Sequence, residues 1–410
     1  MHIQRIQVPD FRVLKNVDIS FEKEFNPRIF PLGSQNGGGK STLLQLIFVL
    51  LHCAGNPDRV EFIQNLLHDF HVNDESGKRT SAIIDIWDGS KNVKLDFFAC
   101  NESYILNFLR ENDEIEAAKY KTLSVIDTNE IEGSITKLTR PKSQMSILID
   151  FFKKSHSLLI FTYKNISINH DETKEEYLVC KIDGIDINEA DEFLTTISNN
   201  IFLTSHISQI FLFLQPDNRK SLFKKQENNQ TNYYQQIKTA NSKLPGFFTY
   251  DFLAIDILIE AFKKARDEDF KQAVEQGGNY GNNYVKLLAE LNNLLSNKRI
   301  NVQPDLSGIN FRIDGDETEL YPEDLSHGEL KRLCIYMWLK HNNIEDAIVL
   351  MDELEISFHP DWQYQIVRDL EEWGATNQYI LATHSYEICQ AVTPAHVKEL
   401  EPKLQAKTIK

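Results

Sequence analysis

The chain has 410 residues, of which 41% are hydrophobic and 25% charged, and a formal net charge of −16. That composition excludes a disordered or fibrous chain, and its acidic surface repels nucleic acid except through a local basic patch or a partner. The five cysteines (Cys53, Cys100, Cys180, Cys334 and Cys389) are odd in number and scattered, which excludes a disulfide framework or a paired zinc spacing and reads as reduced thiols.

The start of the chain, Met1–Ile6, alternates like a strand and has no signal-peptide core. The longest apolar run, about ten residues, is too short to span a bilayer. A soluble, cytoplasmic protein without membrane contact is expected. Ile3, Ile6 and Val8, then Phe11–Leu14 and Val17–Phe21, predict two strands joined by a turn.

Ile29–Leu32 predicts a short buried strand. It runs into Gly33-Ser34-Gln35-Asn36-Gly37-Gly38-Gly39-Lys40-Ser41-Thr42 and then the apolar run Leu43–Leu51. Strand, glycine-rich turn and helix form the setting of a phosphate-binding loop. Glycines let successive backbone N–H groups turn toward an anion, the new helix adds its dipole, Lys40 adds a point charge and the Ser41 hydroxyl can ligate magnesium. Ser34, Asn36, Gly37, Gly38, Gly39, Lys40, Ser41 and Thr42 are the candidate nucleotide contacts. Ser34 stands where the pattern G-x-x-x-x-G-K-[ST] has its first glycine, and Gly33, one residue earlier, is the glycine available for that turn.

Beyond the loop, residues 55–75 predict a loop and an amphipathic helix. Thr80–Trp87, Lys94–Phe98 and Ser103–Phe108 alternate with period two and predict an antiparallel sheet beside the phosphate loop; Leu158–Tyr163 and Tyr177–Ile182 predict further strands. Ile210–Leu214 reads as a strand ending at Gln215, and residues 216–246 as a polar surface insertion. Residues 250–275 and 284–297 are helical by period, broken at Gly277–Asn283, which predicts a helical hairpin and no long coiled coil. Ile309–Ile313 predicts a strand.

Three more motifs follow. Leu325-Ser326-His327-Gly328-Glu329 has the Ser-x-x-Glu spacing of a capping box. Ala347-Ile348-Val349-Leu350-Met351-Asp352-Glu353 is an apolar strand ending in two carboxylates; one can hold magnesium and the next can orient or deprotonate an attacking water. Tyr379-Ile380-Leu381-Ala382-Thr383-His384 is another apolar strand, ending in a histidine.

In this order the four elements resemble the ATP-binding-cassette ATPases: Walker A at 33–42, a signature motif at 325–329, Walker B with the catalytic glutamate at Asp352-Glu353, and the switch histidine at His384. The run Asp352-Glu353-Leu354-Glu355-Ile356-Ser357-Phe358-His359-Pro360-Asp361-Trp362-Gln363 is similar to the D-E-P-E-x-x-L-H-P-x-W-Q run of the RecF/OLD-like (AAA_15/AAA_21) group, with Leu354 and Phe358 as departures. The opening Ile6–Val17, containing Phe11-Arg12, resembles the same group. The resemblance implies ATP and Mg2+ as cofactors, Lys40 and Ser41 on the phosphates and the metal, Asp352 supporting the metal, Glu353 activating water and His384 meeting the γ-phosphate. It implies that Ser326 and Gly328 act on the nucleotide of a second subunit, giving a homodimer or higher homo-oligomer through an ATP sandwich. Gln215 is either the metal-sensing Q-loop glutamine or a solvated loop residue. Arg12 either approaches the phosphates or does not.

The expected architecture is an α/β P-loop NTPase of ABC type: an ATPase lobe over 1–215 with an antiparallel β-subdomain, a polar loop and helical insertion over 216–300, and a second ATPase lobe over 301–410, the central sheet being mixed. OLD-like nucleases carry a Toprim domain after the histidine strand, and this chain stops soon after His384. The resemblance then narrows to ATPase subunits of Septu-type, retron-associated and PARIS-type anti-phage systems, which work with a separately encoded nuclease or toxin. A RecF/SMC-like repair ATPase is the alternative, with Lys137, Arg140, Lys142, Arg219, Lys220, Lys224 and Lys225 as basic positions where nucleic-acid contact stays open. A slowly hydrolysing ATP-bound scaffold is the third.

Overall fold

The computed structural model describes residues 1–72, 76–112, 142–166, 173–206, 214–215, 233–250, 253–303, 305–306, 308–316 and 318–400. The chain opens with the predicted hairpin, β1 (His2–Phe11) and β2 (Leu14–Ser20), and continues through β3 (Ile29–Gly33) into α1 (Lys40–Ala54) and α2 (Val60–Leu66). β4 (Lys78–Trp87) and β5 (Asn92–Asn101) follow, then α3 (Glu102–Asn112), α4 (Lys142–Lys154), β6 (Ser157–Ile166) and β7 (Thr173–Asp183). α5 (Ala190–Asn199), β8 (Ile201–Ser205), α6 (Tyr233–Lys243) and β9 (Phe247–Thr249) lead to the hairpin of α7 (Leu253–Glu275) and α8 (Asn283–Leu294). The last part is β10 (Lys298–Val302), β11 (Ile309–Ile313), β12 (Glu319–Leu320), α9 (His327–His341), β13 (Ile348–Asp352), α10 (Pro360–Trp373), β14 (Gln378–Ala382), α11 (Tyr386–Gln390) and β15 (Lys398–Glu399).

Parallel and antiparallel strands divide cleanly between sheets. The central sheet, in the order β15-β3-β14-β13-β8-β9, is parallel at every pairing. A second six-stranded sheet, β2-β1-β4-β5-β7-β6, is antiparallel, as is the small sheet β10-β11-β12.

Alternation along each central strand builds two cores. Phe30, Leu32, Leu203, Ile348, Leu350, Ile380 and Ala382 face α1 and the antiparallel sheet. Ile29, Val349, Met351, Tyr379 and Leu381 face the layer of α7, α8, α9 and α10. A central strand buried on both faces needs a continuous apolar run, which is why β13 reads Ile-Val-Leu-Met. α1 lies between two sheets, and its residues from Leu43 to Cys53 are all buried, so it carries no polar stripe. On the far face of the antiparallel sheet, α3 and α4 cover Phe98, Cys100, Tyr177 and Val179.

Three expectations need correction. The central sheet is not mixed: every one of its pairings is parallel, and the antiparallel strands form separate sheets. Ser103–Phe108 is helix, not strand. The Asn101 side chain accepts the Tyr104 N–H at 3.1 Å and starts a helix, and Ile105 and Leu109, four apart, bury together. The strand beside β13 is Ile201–Ser205, which the sequence reading passed over. The run Ile210–Phe213 and most of the polar insertion lie outside the described residues, as do the side chains of Lys137, Arg140, Lys142, Arg219, Lys220, Lys224 and Lys225. The predicted helical hairpin is present, and Asp269 of α7 caps α8 by accepting the N–H groups of Asn283 (2.8 Å) and Tyr284 (2.9 Å). No helix among the described residues is long and apolar enough to cross a membrane.

One side chain ties the two large sheets together. Gln378, 1% exposed at the start of β14, accepts the Ile3 N–H at 2.7 Å and donates to the Ile3 carbonyl at 2.8 Å. It thereby satisfies both backbone groups of Ile3, next to an irregularity in the β1–β4 register. Gln378→Leu would strand both groups in the core. We predict a loss of about 2–4 kcal/mol, read as a lower midpoint in urea unfolding; an unchanged midpoint would show that the strap is dispensable.

Candidate nucleotide site

β3, β14 and β13 end level with one another: Leu32 lies opposite Ala382, and Ala382 opposite Asp352. The residues that follow these strands emerge side by side at the carboxyl edge, where open parallel sheets present ligand sites.

From β3 comes the glycine-rich loop. Gly37 (φ 81°) and Gly39 (φ 89°) take left-handed backbone, which glycine adopts without a Cβ clash. A Cβ on Gly38 would stand 2.4 Å from Ser34 Oγ, and one on Gly39 2.7 Å from Leu14. The loop is therefore filled from within by Ser34 and braced from outside by the β1–β2 turn. Gly33, the glycine offered for the turn, stays in β3 because β15 pairs with it, Leu400 N–H donating to its carbonyl at 2.8 Å. Asn36 is exposed at the loop tip and Thr42 is half-buried in the first turn of α1.

Lys40 is buried, and its Nζ donates to the Ser34 carbonyl (3.2 Å) and hydroxyl (3.0 Å) and lies 3.0 Å from His384 Nε2. Burial lowers its pKa, while Glu355, Asp352 and Glu353 act to raise it. Ser41 Oγ donates to Asp352 Oδ1 at 2.9 Å, and Ser205 Oγ lies 3.5 Å from Asp352 Oδ2. Glu353 takes φ 50° and donates its N–H to the Ala382 carbonyl at 2.9 Å. The N–H of His384 is held by Glu355 Oε1 at 2.6 Å. Loop, acid-ended strand and histidine strand thus converge around one ammonium and three carboxylates.

Other predicted residues sit apart from this cluster. The Arg12 guanidinium donates to the Leu66 carbonyl at 2.8 Å, although its turn touches the loop. Gln215 is exposed; the residues found on the Asp352 carboxylate are Ser41 and Ser205. Ser326 forms the capping box, accepting Glu329 N–H at 3.2 Å and donating to Glu329 Oε2 at 2.8 Å. Ser326 and His327 are exposed, whereas Gly328 is buried, and a Cβ there would lie 2.6 Å from the Ser357 carbonyl. Gly328 is the point where α9 meets the turn after β13.

Ser205 and Glu355 are site residues that sequence reasoning missed. The signal for Ser205 was a strand-end hydroxyl after Ile-Phe-Leu-Thr, and for Glu355 a third carboxylate in Asp-Glu-Leu-Glu.

A magnesium ion fits the donor set. Asp352 is 1% exposed and its carboxylate meets two hydroxyls, while Glu355 Oε2 is buried without a hydrogen-bond partner among the described residues. No group of three His, Cys, Asp or Glu that could hold a metal is found among the described residues.

A parallel sheet whose phosphate-loop strand and acid-ended strand flank a third strand defines an α/β P-loop ATPase. Residues 1–389 match the AAA_15 family model, an AAA ATPase domain, and the chain belongs to that family. Two curated relatives are "Retron Vc95 probable ATPase" of Vibrio cholerae serotype O1 biovar El Tor, 43% identical over 52 residues, and "Retron Ec83 probable ATPase" of Escherichia coli, 36% identical over 108 residues. These matches cover 13% and 24% of this chain, and the chain spans only 10% and 20% of the length of those relatives. Among solved structures it is similar to an SMC head bound to the C-winged helix domain of ScpA (12% identity, TM-score 0.40, covering 96% of this chain and 93% of that one). It is also similar to the SMC head domain from Thermotoga maritima (9% identity, TM-score 0.42, 96% and 92% covered).

Burial drives the Asp352 carboxyl from its ordinary 3.8 up to about 7; the Ser41 and Ser205 hydroxyls oppose this and Glu353 and Glu355 add to it. The folded state then holds this proton more tightly than the unfolded chain, so stability without nucleotide falls as pH rises from about 4 to about 7. Asp352→Asn removes that slope. At pH 8 it is predicted to be more stable than the parent by on the order of 2–4 kcal/mol. Parallel Tm-versus-pH curves for the two proteins would contradict this.

Proposed function

We propose that this chain is a Mg-dependent ATPase that works as a nucleotide-gated dimeric switch. The observation that carries this reading is the convergence of Lys40, Ser41, Asp352 and His384 at the carboxyl edge of one parallel sheet. Lys40 and the loop N–H groups bind the β- and γ-phosphates. Ser41 and Asp352 hold Mg2+, with Ser205 on the second Asp352 oxygen. Bound there, magnesium neutralises charge on the phosphates. Glu353 orients the attacking water and accepts its proton, and His384, steadied by Glu355, faces the γ-phosphate.

Ser326 and His327 are exposed at the start of α9, a helix that packs on α7, α8 and α10. This position suits contact with a nucleotide held by a second copy, so two chains enclose two ATP molecules. ATP binding then favours the closed pair and hydrolysis releases it, a population shift driven by contacts made in one state only.

Within biology, this reading assigns the switch to prokaryotic anti-phage defence, where it assembles with or controls a separately encoded nuclease or toxin. Two relatives named as retron ATPases support that assignment, together with the resemblance carried by the Asp352–Gln363 run.

Glu353→Gln should lower ATP turnover by about 100-fold or more while retaining ATP binding. Native mass spectrometry of this variant, purified from its own host with Mg-ATP, should give a dimer or larger assembly that carries an effector protein. A monomer would sink the sandwich, and an assembly carrying DNA alone would favour a repair ATPase.

A further inference from the structure

Lys331 lies on α9, three residues after Gly328 and so on the same helix face. It is 5% exposed. Its Nζ donates to the Glu353 carbonyl at 3.0 Å and to the Ile356 carbonyl at 3.2 Å. The same ammonium stands 4.0 Å from the centre of the Tyr250 ring and 5.5 Å from that of Phe358. A buried ammonium is thus turned onto main-chain oxygens and aromatic faces rather than toward solvent.

Those oxygens belong to an unusual piece of backbone. Glu353 has φ 50° and Ser357 φ 72°, conformations that cost a non-glycine residue energy and persist only where surroundings hold them. The turn's internal bonds are Ile356 N–H to the Glu353 carbonyl (3.3 Å) and Phe358 N–H to the Glu355 carbonyl (3.0 Å). Lys331 adds a charge-assisted donor to the first of these carbonyls and cross-links it to the carbonyl at the end of the same turn. At Gly328 the helix approaches so closely that a Cβ would meet Ser357 O at 2.6 Å. Two points on one face of α9 therefore grip the segment that begins with Glu353.

We infer that Lys331 is a positioning residue: it holds the Glu353 main chain in its left-handed conformation and so sets where the Glu353 carboxylate stands relative to the water it activates. It touches neither ATP nor that water. Because Ser326 begins the same helix, a shift of α9 reaches Glu353 through this ammonium. The inference rests on the hydrolytic reading above.

The test is steady-state kinetics of the full chain with Mg-ATP for the parent, Lys331→Met and Lys331→Arg, with ATP binding measured separately by thermal shift. Lys331→Met keeps the aliphatic stem and loses the donor. Its kcat should fall by about 20- to 100-fold, the size expected of a displaced catalytic group, with KM and the ATP-induced Tm shift within about twofold of the parent. Lys331→Arg keeps the charge but cannot place one ammonium between both carbonyls, so its kcat should lie between the two at unchanged KM. Should Lys331→Met fail to fold, Lys331→Arg decides alone: reduced kcat at parental KM supports the role, and parental kcat overturns it. Parental kcat in Lys331→Met overturns the inference, as does a loss of kcat with a matching rise in KM in both variants. A parent without Mg-dependent turnover overturns the hydrolytic reading and this inference with it.

Discussion

The level register of β3, β14 and β13 is the constraint on which the site depends. The Ser41–Asp352 hydrogen bond joins residues 311 apart in sequence, and neither residue has any local reason to meet the other. They meet because each follows or ends a strand whose last pairs are aligned, Leu32 with Ala382 and Ala382 with Asp352. A slip of one residue in β14 would turn Tyr379 and Leu381 to the wrong core and move His384 away from Lys40. The two-faced apolar pattern that fills the cores therefore also aligns the chemistry.

The same economy runs through the signature helix. Glu329 closes the capping box three residues after Ser326, yet it also receives Lys298 of β10 at 2.7 Å. Burial works to raise its carboxyl, but the bonds from Lys298 and Ser326 outweigh burial and leave it below the ordinary range. The Ser326 hydroxyl is thus already engaged inside its own chain, and any ligand that reaches it must exchange with that contact. Lys40 is in the same position, since its ammonium rests on Ser34 and beside His384.

Much of this was legible in the sequence, and the reason is locality. The glycine-rich loop, the capping box and the two apolar strands ending in Asp352 and His384 are contiguous stretches whose residue types have few other uses. The helical hairpin announced itself by period and by the break at Gly277–Asn283. What escaped had partners far away or a pattern too short to decide. Ser103–Phe108 fits a period of two as well as of 3.6, and the deciding contacts are Asn101 at its start and Leu109 past its end. Ile201–Ser205 is a five-residue strand, and its identity comes from lying against β13. Gln378 and Lys331 act on main-chain groups of Ile3, Glu353 and Ile356, and a carbonyl oxygen leaves no trace in the identity of the residue that bears it. The expected place of Gly33 failed for a related reason: its pairing with β15 comes from the other end of the chain.

The left-handed backbone at Glu353 has an evolutionary consequence. A single-nucleotide change in either glutamate codon yields glycine, the residue for which φ 50° carries least strain. At this position a lineage can shed the carboxylate and relax the turn in one step, keeping the cluster of Lys40, Ser41 and Asp352 intact. Under the role proposed for Glu353, descendants of such a step would hold nucleotide with little turnover, one reversion from recovering it.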